Sequence, residues 1–508
     1  MSPVVGVPFE LFPLVLLGLS FLAGVVIFCL PEESRGARTT VNLAAASLKV
    51  VLLVLLAPVV LDVDLPAWRS PLLPGIDLVL RIDTLALLFA TLSAVLWLVT
   101  TVYAVGYLQD QRHLSRFFGF FSLCVTATVG ISFAGNLVTF LVFYEMLTLV
   151  TYPLVAHYGT TKALAAARRY LFYGLSGGLS LLVGTVWLTS EVGPVEFTPG
   201  GAEAVAVLAR EEPVTATTIF VLLIAGLAVK AALFPFHGWL PRAMVAPAPV
   251  SALLHAVAVV KAGAFGIARV LLDVYGPTVA GEELGVLAPL LVWACLTVLY
   301  GSLRALAQDG IKARLAYSTV SQVSYITLGL ALASTAGITG GIVHLVHQGL
   351  LKITLFFCAG LLEKSSGITR ISELGGVGRR LPAVGVAFTV GAFGMIGLPP
   401  LAGFVSKWWL GVGAIDAGQP WVLGVLLASS LLNSLYFLPV VYALWFAEPS
   451  QEAPAARATG RVHPASPWLL VPALSTAALA VLAGVLASTP LAPLGIAEAI
   501  TAGVEGRP

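Results

Sequence analysis

Apolar runs of about 20 residues recur along the chain, separated by short stretches rich in arginine, glycine and proline. A helix rises about 1.5 Å per residue, so roughly 20 apolar residues cross a hydrocarbon core. By that measure the pattern predicts fourteen spans, in 11–30, 42–61, 84–106, 117–134, 137–158, 166–189, 216–236, 250–272, 285–304, 314–333, 338–362, 384–410, 420–446 and 467–488. The expected fold is an all-α integral membrane bundle. Leu11 to Leu30 is long enough to span, and Met1 to Glu10 lacks a basic leader region, so no cleavable signal is expected. Two longer connectors stand out. The acidic, glycine- and proline-rich 191–215 reads as an exposed loop, and 448–466 as a second polar one.

Composition agrees with this pattern. Of 508 residues, 58% are hydrophobic and only 10% charged, against about 25% charged in soluble domains; the mean hydropathy is +0.98. The distribution of charge tests the span count. Seventeen arginines and lysines fall in loops after odd-numbered spans, and three, Arg69, Arg81 and Arg210, in loops after even-numbered ones. A wrong count would scramble this asymmetry. By the positive-inside rule the odd loops are cytoplasmic, both termini face outward, and the chain lies in a cell membrane. Cys29, Cys124, Cys295 and Cys358 sit in apolar runs without metal-ligand spacing, so neither a disulfide framework nor an iron–sulfur site is indicated. No nucleotide fingerprint stands in a strand–turn–helix context. The glycines of "GLSGGLS" at 174–180 lie within a span, where small residues let helices approach. No cofactor and no metal is expected, and no nucleic-acid partner.

Against this background the few ionisable residues inside spans carry the chemistry. A charge at the bilayer centre costs about 2.5–3.5 kcal/mol even on a lenient scale. Lys230 and Lys261 each lie near the middle of an apolar run, and Pro235 breaks the first run five residues later. Glu145 is the one acid read as mid-span, a proton-binding carboxylate or a structural partner for Lys230. Burial disfavours an ammonium and a neighbouring carboxylate favours it, so a charge change on one can move a proton on the other. His255, six residues before Lys261, suits a relay, or equally a satisfied core histidine. His344, Gln348 and Lys352 are spaced by four and form one polar stripe on a helix, whereas His347 points more than about 100° away from Lys352. Lys407 follows "GLPPLAGFVS", where Pro399 and Pro400 interrupt the helix. Half-helix ends in membranes expose backbone groups that bind ions and water. Snorkelling of the long stem to the interface is the plainer reading for Lys49 and Arg269, which are left out of the path.

Lys230 with a break after it, in the seventh span, is echoed by Lys407 with a break before it, in the twelfth. Five spans separate them, an odd number, so the two units are expected to be inverted repeats. This divides the chain into 1–110 (spans one to three), 111–275 and 276–447 (five-helix repeats of spans 4–8 and 9–13), and 448–508 (last span and tail).

The segments "KAALFPFHGWLPRAMVAPAPVSALLHAVAVVKAG", "QDGIKARLAYSTVSQVSYI", "HQGLLKITLFFCAG" and "GMIGLPPLAGFVSKWWL" together resemble the antiporter-like membrane subunits of respiratory complex I, membrane-bound hydrogenases and Mrp-type multisubunit cation/proton antiporters. The resemblance covers about 80–445, and the run from Gly378 to Leu410 looks most like the D-type member of the Mrp antiporters. It implies that Glu145 and Lys230 form a coupled pair and that Lys261, Lys352 and Lys407 extend a hydrated axis, with His255 and His344 as intermediates. Relatives often carry a second histidine four residues before the eleventh-span lysine; here it is Gln348. One complex I subunit type has glutamate where Lys407 stands, and the largest type has a further span and a lateral helix not expected here after 488. The implied function is a proton-translocating subunit of a Na+/H+ antiporter working with other membrane subunits. The alternative is a pumping subunit of an NADH:quinone oxidoreductase or hydrogenase, in either case with no redox centre of its own.

Overall fold

The computed structural model describes residues 8–448 and 466–504, together with Gly506. The connector 448–466 lies almost wholly outside the described residues, as do Arg457 and Arg461. Helices occupy all fourteen predicted spans. They are α1 (Phe12–Cys29), α2 (Arg35–Asp62), α3 (Thr84–Tyr107), α4 (Leu114–Phe133), α5 (Leu137–Val155), α6 (Thr161–Val192), the short α7 (Glu203–Glu211), α8 (Pro213–Ala231), α9 (Ala248–Ala252) and α10 (Val259–Arg269). There follow α11 (Leu287–Leu306), α12 (Ile311–Leu332), α13 (Thr335–Ser366), the single turn α14 (Val377–Arg380), α15 (Pro382–Ile396), α16 (Ala402–Asp416), α17 (Trp421–Trp445), α18 (Pro467–Val485) and α19 (Pro493–Val504). Among the described residues, twelve helices meet the length and hydropathy of a membrane span. The other two predicted spans are α12, whose serines and threonines lower its hydropathy, and the broken pair α15/α16. α13 is the hub: its membrane stretch is completely buried, and α3, α12, α15, α16, α18 and α19 pack around it.

Contacts between loops follow the alternation that the charges imply. At one end Glu32 accepts from the Leu114 and Ser115 N–H groups at 2.8 and 3.0 Å. There too Lys364 meets Asp110 at 2.8 Å, and Arg116 donates to the His157 carbonyl at 3.1 Å. All of these join loops after odd-numbered spans. At the other end a two-stranded hairpin, β1 (Trp68–Leu73) and β2 (Ile76–Leu80), is tied to the 191–215 loop by the Arg69–Glu196 ion pair. The Thr198 and Gly200 N–H groups donate to the Asp273 and Leu272 carbonyls, each at 3.0 Å. All of these join even loops.

The 191–215 segment is therefore not the exposed connector its composition suggests. Phe197 is fully buried, and α7 buries Val205, Leu208 and Ala209, an i, i+3, i+4 stripe. A nine-residue amphipathic helix inside a polar loop is too short to stand out as a periodic signal.

The two expected breaks are present. α8 stops at Ala231, where Ala232 takes a left-handed conformation (φ 58°) that is strained for a residue with a Cβ, and 3-10 turns follow Pro235. α15 stops at Ile396; Gly397 (φ 95°) and the Pro399–Pro400 pair separate it from α16. The eighth span holds a third irregularity, with π-turns at Leu253–Val257 and Val270–Val274 on either side of α10. Packing order is alike in the two expected repeats: α4 on α5, α5 on α6 and α6 on α8; α11 on α12, α12 on α13 and α13 on α16.

Candidate functional site

α5 begins where Asn136 accepts from the Thr139 N–H at 2.8 Å, and two turns later it presents Tyr144 and Glu145. The Glu145 carboxylate lies against the backbone of Gly178 on α6, where an added Cβ would overlap Oε1; that oxygen is buried without a hydrogen-bond partner. Lys230, buried in the last turn of α8, donates to the Tyr144 carbonyl, and its ammonium sits 3.2 Å from the centroid of the Tyr144 ring. No Glu145–Lys230 ion pair forms within 4.0 Å among the described residues. The two charges act on each other through space.

α10 crosses α8 beside Lys230. A Cβ at Gly263 would lie 2.8 Å from the Lys230 carbonyl carbon, so glycine is what allows this approach. Lys261, fully buried on α10, donates to the Leu345 carbonyl of α13 at 2.7 Å. His255 sits in the first π-turn with its ring centroid 4.6 Å from that of Phe356, and both its nitrogens are buried and unpartnered. Along α13 the stripe is as spaced. His344 Nδ1 is 2.8 Å from Ser406 Oγ on α16, and Gln348 is buried with neither Nε2 nor Oε1 partnered. Lys352 donates to Ser318 Oγ and to the Leu315 carbonyl of α12, the latter at 3.3 Å. His347 is buried too, facing another side of α13. Lys407 reaches back across the break to the Met395 and Ile396 carbonyls at 3.0 and 2.7 Å and to Ser430 Oγ at 3.1 Å. It thereby caps the C-terminus of α15, where unsatisfied carbonyls carry negative partial charge.

Lys261, Lys352, His344, His255 and Lys407 form one group of charges that influence one another, and Glu145 with Lys230 a second, the two meeting where α10 crosses α8 at Gly263. Lys230, Lys261, His255, His344 and Lys352 are buried in the bundle, and Glu145 and Lys407 are half-buried beside them, next to the breaks at Pro235 and Pro399–Pro400. Partners that the hydropathy pattern does not single out are Tyr144, Ser318, Ser406 and Ser430. The unusually hydroxyl-rich α12, "YSTVSQVSY", is the signal for Ser318 that the chain carries.

Two residues read as snorkelling do not snorkel. Arg269 is buried between the Phe197 and Phe265 rings and bridges Asp273 (2.6 Å) and Asp83 (2.9 Å). A buried arginine needs such paired acceptors, and Asp83 comes from a loop the helix pattern does not connect to it. Lys49 is fully buried and donates to Ser20 Oγ at 2.6 Å. A span boundary says how far a stem must reach, not whether neighbouring helices block it.

A helical bundle with interrupted spans and a row of buried amines across its middle defines a class of multi-pass membrane proteins that hold charge inside the bilayer. Residues 134–433 match the family "NADH:quinone oxidoreductase/Mrp antiporter, TM", and the chain belongs to that family. It is 36% identical over 403 residues to NADH-quinone oxidoreductase subunit N of Desulforudis audaxviator (strain MP104C), covering 78% of this chain and 77% of that one. It is 28% identical over 412 residues to the D-type Na(+)/H(+) antiporter subunit of Bacillus subtilis (strain 168), covering 80% and 81%. Its fold is that of a chain in the Mrp complex from Dietzia sp. DQ12-45-1b, with a TM-score of 0.83 over 98% of this chain and 97% of that one at 24% identity.

Proposed function

We propose that this chain is the proton-translocating subunit of a multisubunit Na+/H+ antiporter in a cell membrane, working beside other membrane subunits. One observation carries the reading. Lys230, Lys261, Lys352 and Lys407 each donate to a backbone carbonyl contributed by another helix, and none forms an ion pair within 4.0 Å among the described residues. An amine held by neutral acceptors can lose its proton without leaving a carboxylate orphaned, whereas a salt-bridged one cannot. Charge can then pass from Glu145–Lys230 to Lys261, on through His344 and Lys352, and out at Lys407, each step shifting the next by Coulomb coupling where water is scarce. Unpartnered polar atoms on His255 and Gln348 favour water between the amines. The two broken units are read as inverted repeats, 111–275 and 276–447, and the basic loops as cytoplasmic.

The identity to the NADH-quinone oxidoreductase relative supports a second reading, a pumping subunit of a quinone-reducing complex whose redox centres lie in partners. One experiment separates them. Everted vesicles carrying the intact complex are followed with a pH-gradient dye, adding sodium or, separately, an electron donor. A sodium-triggered change lost in Lys230→Ala supports the antiporter; a response to the donor alone supports the redox pump. Normal transport by Lys230→Ala defeats both.

A further inference from the structure

Outside the central line, the first four helices enclose a second polar file. α2 turns Arg38, Asn42, Ala46 and Lys49 to one buried face. Its odd-loop end is anchored where Arg38 donates to Ser115 Oγ at 2.6 Å and to the Glu32 carbonyl at 3.2 Å. A cavity of about 400 Å³, lined by Arg35, Arg38, Thr39 and Trp468, opens there. One turn deeper Ser122 donates to Asn42 Oδ1 at 2.9 Å. Deeper again, Thr126 and Lys49 both donate to Ser20 Oγ, at 2.9 and 2.6 Å. Eleven residues of helix place Lys49 about 16 Å beyond Arg38, roughly mid-membrane. Its ammonium lies 5.1 Å from the Trp97 ring centroid, with no carboxylate within 4.0 Å among the described residues.

Polar groups nearby are left without partners. Asn42 Nδ2, Ser93 Oγ, Trp97 Nε1 and Thr101 Oγ1 are all buried and unpartnered. Ser93, Trp97 and Thr101 stand at i, i+4 and i+8 on α3 and so share a face. Each such group stranded in a dry interior costs about 1–3 kcal/mol. A buried lysine with one acceptor, on the same helix face as Asn42 and beside the α3 face of Ser93, Trp97 and Thr101, matches a hydrated pocket rather than a packing defect.

We propose that Lys49 is a further proton-carrying amine, filled from the odd-loop side along the Arg38–Asn42–Ser20 file. Water at the cavity delivers a proton, the Lys49 amine takes it to become an ammonium, and it passes the proton on through the hydroxyls of the α3 face. α3, which carries these hydroxyls, also packs on α13, the helix that bears His344, Gln348 and Lys352.

This inference rests on the proton-translocation reading, and its test separates the two. In vesicles bearing the intact complex, a small hydrophilic thiol reagent is applied to Lys49→Cys and to Leu53→Cys, one turn further along the same buried face, and modification is read by peptide mass spectrometry. A thiol reacts as its thiolate in water, so Lys49→Cys is expected to react at least about tenfold faster, and Asn42→Leu added to it to remove the difference. Equal rates overturn the hydrated file. Dye-followed exchange is expected to fall about tenfold or more in Lys49→Met and also in Lys49→Arg, whose guanidinium keeps its proton; wild-type exchange in Lys49→Arg would overturn the carrier role and leave Lys49 a fixed charge. Wild-type exchange in Lys49→Met, with Lys230→Ala inactive, overturns the inference alone; a wild-type complex that moves no protons overturns the functional reading itself. Should Lys49→Met not assemble, Asn42→Leu alone is expected to slow exchange, and unaltered exchange there overturns the file.

Discussion

The four lysines of the central line were legible because an amine in an apolar run is rare enough to need a reason. Their acceptors were not, since a backbone carbonyl belongs to every residue and only the crossing of helices selects Tyr144, Leu345 or Ile396. Lys407 shows the consequence. Lys407→Met keeps the length but strips the Met395 and Ile396 carbonyls of a charged donor, a loss of about 1.5–3 kcal/mol, expected as a lower unfolding temperature together with lost proton transport. Gly178 is a second case, because its missing side chain is the space the Glu145 carboxylate fills. Gly178→Ala is expected to cost about 1–3 kcal/mol through overpacking and to slow transport by displacing that carboxylate. Adding Glu145→Asp, one methylene shorter, should restore part of the rate in a vesicle assay. No recovery in the double variant would mean that Gly178 only packs helices.

Among elements, proline marked two breaks and left the third unmarked. The π-turn that holds His255 contains neither proline nor glycine; it forms where the buried eighth span fits between α3, α8 and α13, a matter of tertiary packing that no local pattern encodes. The start of α4 shows a polar loop residue acting on an element. Burial, the largest influence on Glu32, pushes its carboxyl up, but the Ser115 and Leu114 N–H groups and the nearby Arg38 and His113 hold it below the usual glutamate range. A carboxyl held low in the folded state contributes fully above its unfolded value of about 4.3 and loses that contribution as pH falls through the folded one. Protection of the Leu114 and Ser115 amides from hydrogen exchange, measured against their intrinsic rates at each pH, is therefore expected to fall on acidification below about pH 4. In Glu32→Gln that protection should be lower already at neutral pH and nearly flat across that range. An acid-insensitive wild type would show that these amides do not depend on the carboxylate.

At the scale of the whole molecule, fourteen spans could be counted because hydropathy and charge are independent records of one topology. An arginine placed by the positive-inside rule knows nothing of helix length, yet both gave the same alternation, and the loop contacts keep it: Glu32 with Ser115, Lys364 with Asp110, Arg69 with Glu196. What hydropathy could not supply was the content of the even end, where the hairpin and α7 close over the Arg269 cluster, because strands and short helices lie below its window. The alternation leaves one sign to measure. With Cys29, the exposed native thiol, replaced by serine, a single thiol is introduced as Lys162→Cys in an odd loop or as Glu203→Cys in an even one, both exposed positions. A membrane-impermeant maleimide should label the Glu203→Cys chain in right-side-out vesicles and the Lys162→Cys chain in everted ones. The reverse pattern would turn the molecule over and put its basic loops outside. Labelling of both thiols from one side would break the alternation, and with it the inverted relation between the two broken units.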